Sequence, residues 1–353
     1  MKVSDVRIAG NLPARRGDLL RVAVDARFAI LDDRGIGRYT RAVLEQLLRA
    51  RDVEWTFVAP GLFAPRRRIA AMLGIQRRRL AGAVPAAAHV LWSPSNGTDL
   101  ASRAPAVTTV HDMVPFAFPS ADLGVRLREQ APLRRTAERA RRILVNSAFT
   151  ANELTTYFGI GPERITITPL GIAPAFSPRG PLHRLADGRP YVLHVGAHDP
   201  RKNVGTLVDA WRLAFPDAQV ALVFTRRPPV LPDGALTVDA AGDAELAALY
   251  RGAALVAVPS IHEGFGLPVL EAMACAAPIV ASRVAALPEI GGDAVAWIAE
   301  PLDANAWAAA LRAILDAGSD VTALAARGPA GAAGYTWERC AALTLDALRD
   351  AAG

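Results

Sequence analysis

Short runs rich in valine and isoleucine alternate with longer helical patterns along most of this 353-residue chain, and the alternation stops once, near the middle, before starting again. Parallel strands need a crossover to return the chain to the same sheet edge, and a helix is the usual crossover, so the pattern predicts parallel α/β architecture. In the first half, strands are predicted at Leu20–Asp25, Trp55–Ala59, Val90–Trp92, Ala106–His111, Ile143–Asn146 and Ile165–Pro169. Helices are predicted at Arg38–Arg49, Leu123–Ala140 and Ala148–Tyr157, the last with Thr150 as its cap. The stretch Pro169-Leu170-Gly171 … Pro174 … Pro178-Arg179-Gly180-Pro181 then reads as an interdomain linker.

After it, strands are expected at Tyr191–Val195, Val220–Phe224, Leu236–Val238, Leu255–Val258, Pro278–Ala281 and Val295–Ile298. Helices are expected at Val204–Phe215, Ala244–Tyr250, Pro268–Cys275, Asn305–Asp316 and Trp337–Arg349. Two sheets in tandem, each covered by helices, leave a cleft between their carboxyl edges, where open α/β sheets bind ligands.

Composition excludes several classes. With 52% hydrophobic and 21% charged residues the chain has a large core to bury and is not disordered. No window approaches the roughly 18 uninterrupted apolar residues of a membrane span, and no signal peptide is visible. The two cysteines, Cys275 and Cys340, have neither metal-ligand nor disulfide spacing. A cytoplasmic location is therefore expected. The charge is divided: residues 1–180 hold 27 Lys+Arg against 15 Asp+Glu, a net +12, and the remainder 13 against 19, a net −6. Arg66–Arg68, Arg77–Arg79 and Arg134, Arg135, Arg139, Arg141 and Arg142 carry the excess. No aromatic residues interleave these clusters and no recognition helix accompanies them, so nucleic acid is not the expected partner. A solvated face and an anionic membrane surface both fit. Of 40 basic residues only Lys2 and Lys202 are lysines, which draws attention to Lys202.

The densest constellation is Pro259–Met273, which begins where a strand ends and finishes inside a helix. Gly264 and Gly266 allow close backbone approach, Pro268 suits a first helical turn, and the helix N-terminus offers amides to an anion or hydroxyl. Glu263 in the loop and Glu271 in the helix can accept hydrogen bonds from two separate polyols. A dipole-favoured first-turn glutamate is the plainer reading of Glu271 alone. At a second strand-to-helix junction, Val195–Asn203, Arg201 offers a bidentate fork and Lys202 a point charge, a pair suited to a diphosphate. In Arg34-Gly35-Ile36-Gly37-Arg38-Tyr39-Thr40 a glycine loop precedes a helix. Thr40 replaces the third glycine of the dinucleotide fingerprint, and the strand ends too early, so a dehydrogenase is disfavoured. His111-Asp112 closes a strand at the cleft edge; a packed structural histidine is the other reading. His89, His183, His194, His198 and His262 have no comparable support, and Cys275 reads as a small buried hydrophobe.

Taken together these segments resemble retaining glycosyltransferases of family 4. Glu263 and Glu271 in EGFGLPVLEAMA look like the E-x7-E motif of that family. PRKN at Pro200–Asn203, VHDMVPF at Val110–Phe116, NSAFTANEL at Asn146–Leu154 and LPEIGGDA at Leu287–Ala294 match it in the expected order. The resemblance implies the GT-B fold: two Rossmann-like domains facing each other across a cleft, with the C-terminal helix crossing back to the first. Residues 1–180 would form the acceptor domain (1–19 an extension), 181–335 the nucleotide-sugar domain, and 336–353 the returning helix. It implies that Glu271 holds the donor ribose, that Glu263 contacts the transferred sugar, and that Phe265, Gly266 and Leu267 help hold it. Arg201 and Lys202 would bind the diphosphate, with Gly35 and Gly37 approaching from the other domain and His111 beside the reacting sugar. No obligatory metal or other cofactor is implied. The combination of GIGRY, VHDM and PRKN looks most like mannosyltransferases of O-antigen or exopolysaccharide assembly. That implies GDP-mannose as donor and a saccharide or lipid-linked acceptor, and it is compatible with a peripheral place on the inner face of the cytoplasmic membrane. Alternatives are a UDP-sugar donor, a nucleotide-sugar 2-epimerase of similar shape, and a catalytically silent binding protein. Two departures from the family pattern stand out: Ala197 where many members have arginine, and Ala276 where many have glycine.

Overall fold

The computed structural model describes residues 19–30, 35–61, 66–75, 80–197, 199–240, 242–316 and 319–353. The N-terminal extension, Arg34, Arg77–Arg79 and His198 lie outside these. The first sheet contains, among the described residues, β1 (Leu20–Asp25), β2 (Val53–Val58), β3 (Leu80–Ala81), β4 (Val90–Ser93), β5 (Ala106–Val110), β6 (Ala140–Val145) and β7 (Ile165–Ile167). The second contains β8 (Tyr191–His194), β9 (Ala221–Phe224), β10 (Leu236–Thr237), β11 (Leu255–Val258), β12 (Ile279–Ser282) and β13 (Ala296–Ile298). Every pairing is parallel. The inner strands β4, β8, β9, β11 and β12 are buried at every residue, as a sheet covered on both faces requires.

Helices connecting the first sheet are α1 (Ile36–Leu47), α2 (Arg66–Met72), α3 (Val114–Ala117), α4 (Leu123–Arg139) and α5 (Ala148–Phe158). Those of the second are α6 (Val204–Ala214), α7 (Asp243–Gly252), α8 (Leu267–Ala274), α9 (Leu287–Gly291), α10 (Ala304–Asp316) and α11 (Ser319–Ala332), followed by α12 (Trp337–Ala352). The sheet orders are β3-β2-β1-β4-β5-β6-β7 and β10-β9-β8-β11-β12-β13. Chain direction across each sheet reverses once, between β1 and β4 and between β8 and β11, and crevices open beyond the carboxyl ends of such neighbours.

Helix α12 packs on α1 and on β1, β4, β5 and β6, so the chain ends on its first domain. Arg142 pairs with Asp350, and Arg349 reaches Asp52 at 2.6 Å. The linker is fitted to this return: a Cβ on Gly171 would lie 2.2 Å from the Trp337 amide nitrogen. A second join lies at the N-terminus of α5, where the Glu289 carboxylate of α9 accepts from the amides of Ala148 (2.9 Å) and Phe149 (3.3 Å).

Three readings of the sequence need correction. The cap of α5 is Ser147, whose hydroxyl accepts from the Thr150 amide at 3.1 Å; Thr150 turns its own hydroxyl to the Gly264 carbonyl at 3.2 Å. The strand expected at Ile143 begins at Ala140, directly after α4, and the strand expected to reach His111 stops at Val110. Helix α11, which carries Pro329 inside it, is not among the helices expected from the sequence. Its glycine serves packing: a Cβ on Gly328 would sit 2.6 Å from the Met273 carbonyl of α8.

Candidate active site

The crevices at the two chain reversals face each other and form one cleft of about 340 Å³. From the second sheet, the loop after β8 brings Val195–Ala197, Arg201 and Lys202, and the loop after β11 brings Glu263–Gly266. The Ile261 amide donates to the Arg201 carbonyl at 2.8 Å and fixes one loop against the other. From the first domain come Gly35, Ile36, Arg38 and Tyr39 at the start of α1, His111 and Asp112 after β5, and Asn146 after β6.

Glu263 is buried and held by three side chains. Ser260 Oγ donates to its Oε1 at 2.7 Å, Lys202 Nζ pairs with the same oxygen, and Arg201 Nη1 approaches Oε2 at 3.4 Å. Burial pushes its carboxyl up, but the Lys202 and Arg201 charges outweigh burial and hold it below the ordinary value. Arg201 is itself fixed by Asp199, whose carboxylate accepts from the Arg201 amide at 3.0 Å. A carboxylate and two cations thus share the floor of the cleft, able to meet both the hydroxyls and the phosphates of one ligand.

Glu271, 3% exposed, occupies the other end. Its Oε2 accepts from Tyr250 Oη at 2.9 Å and its Oε1 from Arg38 Nη1 at 2.8 Å. Burial raises this carboxyl, with Arg38 opposing, so the two glutamates of the motif shift in opposite directions. Arg38 comes from the first domain and was not singled out from the sequence. It also pairs with Asp243 at 3.3 Å and stacks over Phe176, 5.5 Å from the ring centroid. One signal existed: Arg38 stands in the first turn of α1, where the helix dipole disfavours a cation, which hints at an anionic partner.

His111 lies with Nε2 2.8 Å from the Pro94 carbonyl and its ring edge-on to Tyr39 at 4.7 Å. Burial lowers its pKa, which favours the neutral ring; the carbonyl then requires the proton on Nε2 and leaves Nδ1 an acceptor. Gly264 meets the other domain: a Cβ there would lie 2.1 Å from the His111 carbonyl oxygen. Its own carbonyl accepts from Ser147 Oγ at 2.6 Å. Gly266 caps α8 at φ +105°, Phe265 is buried against Tyr335, and Leu267 opens the helix at the cleft wall. Gly35 and Ile36 line the cleft, whereas Gly37 is buried within α1. Arg226, after β9, lines the cleft with Ala197. His262 instead bridges the domains, its Nε2 2.9 Å from Glu153 of α5. Among the described residues no cluster of three or more His, Cys, Asp or Glu is placed to hold a metal ion.

Comparison with known proteins adds identity to this geometry. The model of Glycosyltransferase Family 4 matches residues 81–176, and that of Glycosyl transferases group 1 matches residues 189–317. O-antigen chain mannosyltransferase B of Escherichia coli is 32% identical over 273 residues, covering 69% of this chain and 70% of that protein. A D-inositol 3-phosphate glycosyltransferase of Kineococcus radiotolerans is 32% identical over 256 residues, covering 61% of this chain and 58% of its own length, less than two thirds. Among solved structures, Anabaena Alr3699/HepE in complex with UDP-glucose superposes with a TM-score of 0.67 at 16% identity, covering 92% of this chain and 99% of that one. The two parallel sheets, the cleft between them and these matches together show that the chain belongs to glycosyltransferase family 4 and has the GT-B fold.

Proposed function

We propose that this glycosyltransferase moves mannose from GDP-mannose to a hydroxyl of a saccharide or lipid-linked acceptor, with retention of the anomeric configuration. The observation that carries the reading is the convergence of Arg201, Lys202 and Glu263 at the mouth of α8. The bond from the sugar's anomeric carbon to the diphosphate breaks, and its electron pair leaves with the phosphate. Arg201, Lys202 and the backbone amides around Phe265, Gly266 and Leu267 meet that charge, so the transfer is taken to need no metal ion. An ammonium has three donors, so Lys202 can keep Glu263 while reaching a phosphate oxygen. The acceptor oxygen attacks from the face the diphosphate leaves, and its proton passes to the departing phosphate. Glu263 would bind hydroxyls of the transferred sugar, Glu271 the ribose diol, and His111 would stand beside the reacting carbon.

Mannose is favoured by the O-antigen mannosyltransferase relative. The neighbour solved with UDP-glucose keeps a UDP-sugar as the second reading. A lipid-linked acceptor fits the outer face of α4, where Leu123 and Leu127, 57% and 55% exposed, lie one turn apart beside Arg126 and Arg128. No described helix is long and apolar enough to cross a membrane, so this face would rest on one.

The test is incubation of the enzyme with GDP-mannose and lipid-linked saccharides, with the anomer of the new linkage read by NMR. An α linkage from the α-linked donor supports the reading, and a β linkage overturns retention. Lys202→Ala is expected to lose about 2.7–4 kcal/mol of transition-state stabilisation. Turnover within tenfold of wild type would remove Lys202 from this role.

A further inference from the structure

Arg38 belongs to the first domain, yet its guanidinium is half-buried against the second. Its guanidinium meets Glu271 of α8 at 2.8 Å and Asp243 of α7 at 3.3 Å, and it covers Phe176 of the linker. Three anchors on three segments hold it in place. Each oxygen of Glu271 accepts one hydrogen bond here, from Arg38 or from Tyr250. A carboxylate oxygen has room for two, so one acceptor position on each remains for two neighbouring hydroxyls. We propose that Arg38 is a positioning residue for the donor carboxylate: the first domain supplies the cation that pairs and aims Glu271, so the donor site is complete only while the two domains are together. This rests on the reading of Glu271 as the ribose-binding residue.

The surroundings of Glu271 make the pairing consequential. Facing it are Arg38 from α1, Tyr250 and Asp243 from α7, and Cys275 at the end of its own helix. Tyr250 and Cys275 are both held well toward their neutral forms by burial, which leaves Arg38 as the cation opposing the burial of Glu271. With Arg38 removed or drawn away, a buried carboxyl beside Asp243 takes up a proton more readily and loses one acceptor position. Donor binding and domain approach are thereby linked through one ion pair, and any ligand that favours the charged carboxylate favours the closed arrangement.

The test is calorimetric titration of GDP and UDP between about pH 6 and pH 8.5 into the wild type, Arg38→Met and Arg38→Lys. The wild type is expected to bind one nucleotide with little dependence on pH. Arg38→Met is expected to bind it about tenfold more weakly near pH 6 and to approach the wild type as pH rises, because a carboxylate that must first ionise loses about tenfold per pH unit. Arg38→Lys, which keeps the charge, is expected to restore most of the acid-side loss; Arg38→Gln, which removes the charge and keeps a donor, carries the same test if Arg38→Met fails to fold. In a Glu271→Gln background, Arg38→Met should change affinity less than about twofold, since a residue acting through Glu271 has nothing left to act on. Tighter binding by Arg38→Met, equal binding at every pH, or a uniform loss at every pH overturns the inference. Failure of the wild type to bind either nucleotide overturns the reading of the ribose site, and the inference with it.

Discussion

Gly264 stands so close to His111 that a Cβ on the glycine would lie 2.1 Å from the histidine's carbonyl oxygen. Both partners are backbone, so neither can swing aside. A loop of the second domain is thereby pressed onto a loop of the first beside Glu263, at the wall of the cleft. Gly264→Ala should hold the two loops apart, and misplacement of about 1 Å costs on the order of 100-fold in rate. Nucleotide affinity should fall less, because the Glu271 end of the cleft is not wedged. Steady-state kinetics beside a nucleotide titration checks this, and an unchanged kcat would show that the approach is dispensable.

Glu263 and its cations carry a pH dependence whose sign follows from the charge balance. The native carboxyl lies below its ordinary value, so it contributes stability above the unfolded pKa and loses it as pH falls through the lowered native one. Thermal melts of wild type and Glu263→Gln should therefore differ most near about pH 7 and draw together as pH falls below the ordinary carboxylate range. A difference that is constant across this range would mean that the charge of Glu263 does not stabilise the fold.

Ala276, where the family pattern often has glycine, adopts φ +52° after α8. A left-handed backbone costs a residue with a Cβ about 1–2 kcal/mol, part of which glycine's greater unfolded-state freedom takes back. Ala276→Gly is expected to stabilise the protein by about 0.5–1 kcal/mol and to raise the melting temperature by about 1–3 °C. A lower melting temperature would show that the Cβ packs well enough to offset the strain.

The exposed leucines of α4 and the arginines around them should bring the first domain to anionic lipid. Co-sedimentation with phosphatidylserine-containing vesicles is expected at low salt, weakening as the Debye length shortens to about 8 Å near physiological ionic strength. Leu123→Ser with Leu127→Ser should release most of the bound protein. Retention of that variant, or no sedimentation of the wild type at low salt, would contradict a docking role for this face.

Much of this molecule was legible in its sequence, because repeated α/β alternation has few packed solutions. The E-x7-E spacing located both carboxylates, and one rare lysine drew attention to the floor of the cleft. What escaped was relational. Nothing near Glu271 names Arg38 as its partner, 233 positions away, and only the misfit of a cation in a first helical turn hinted at one. Helix α11 was not expected, and the packing that demands a glycine at Gly328 comes from α8, far from it in sequence. Strand β3, two residues long, is too short to show any period. Gly264 reads in sequence as room for a ligand, and in the fold that room is taken by the other domain.

The most direct measurement is calorimetric titration of GDP-, UDP-, dTDP- and ADP-sugars into the wild type and into Glu271→Ala. Binding of one nucleotide class, lost in the variant, is the expected result, with GDP-mannose the expected ligand. Binding that survives in Glu271→Ala, or no binding of any of them by the wild type, would contradict a donor site built on Glu263, Glu271, Arg201 and Lys202.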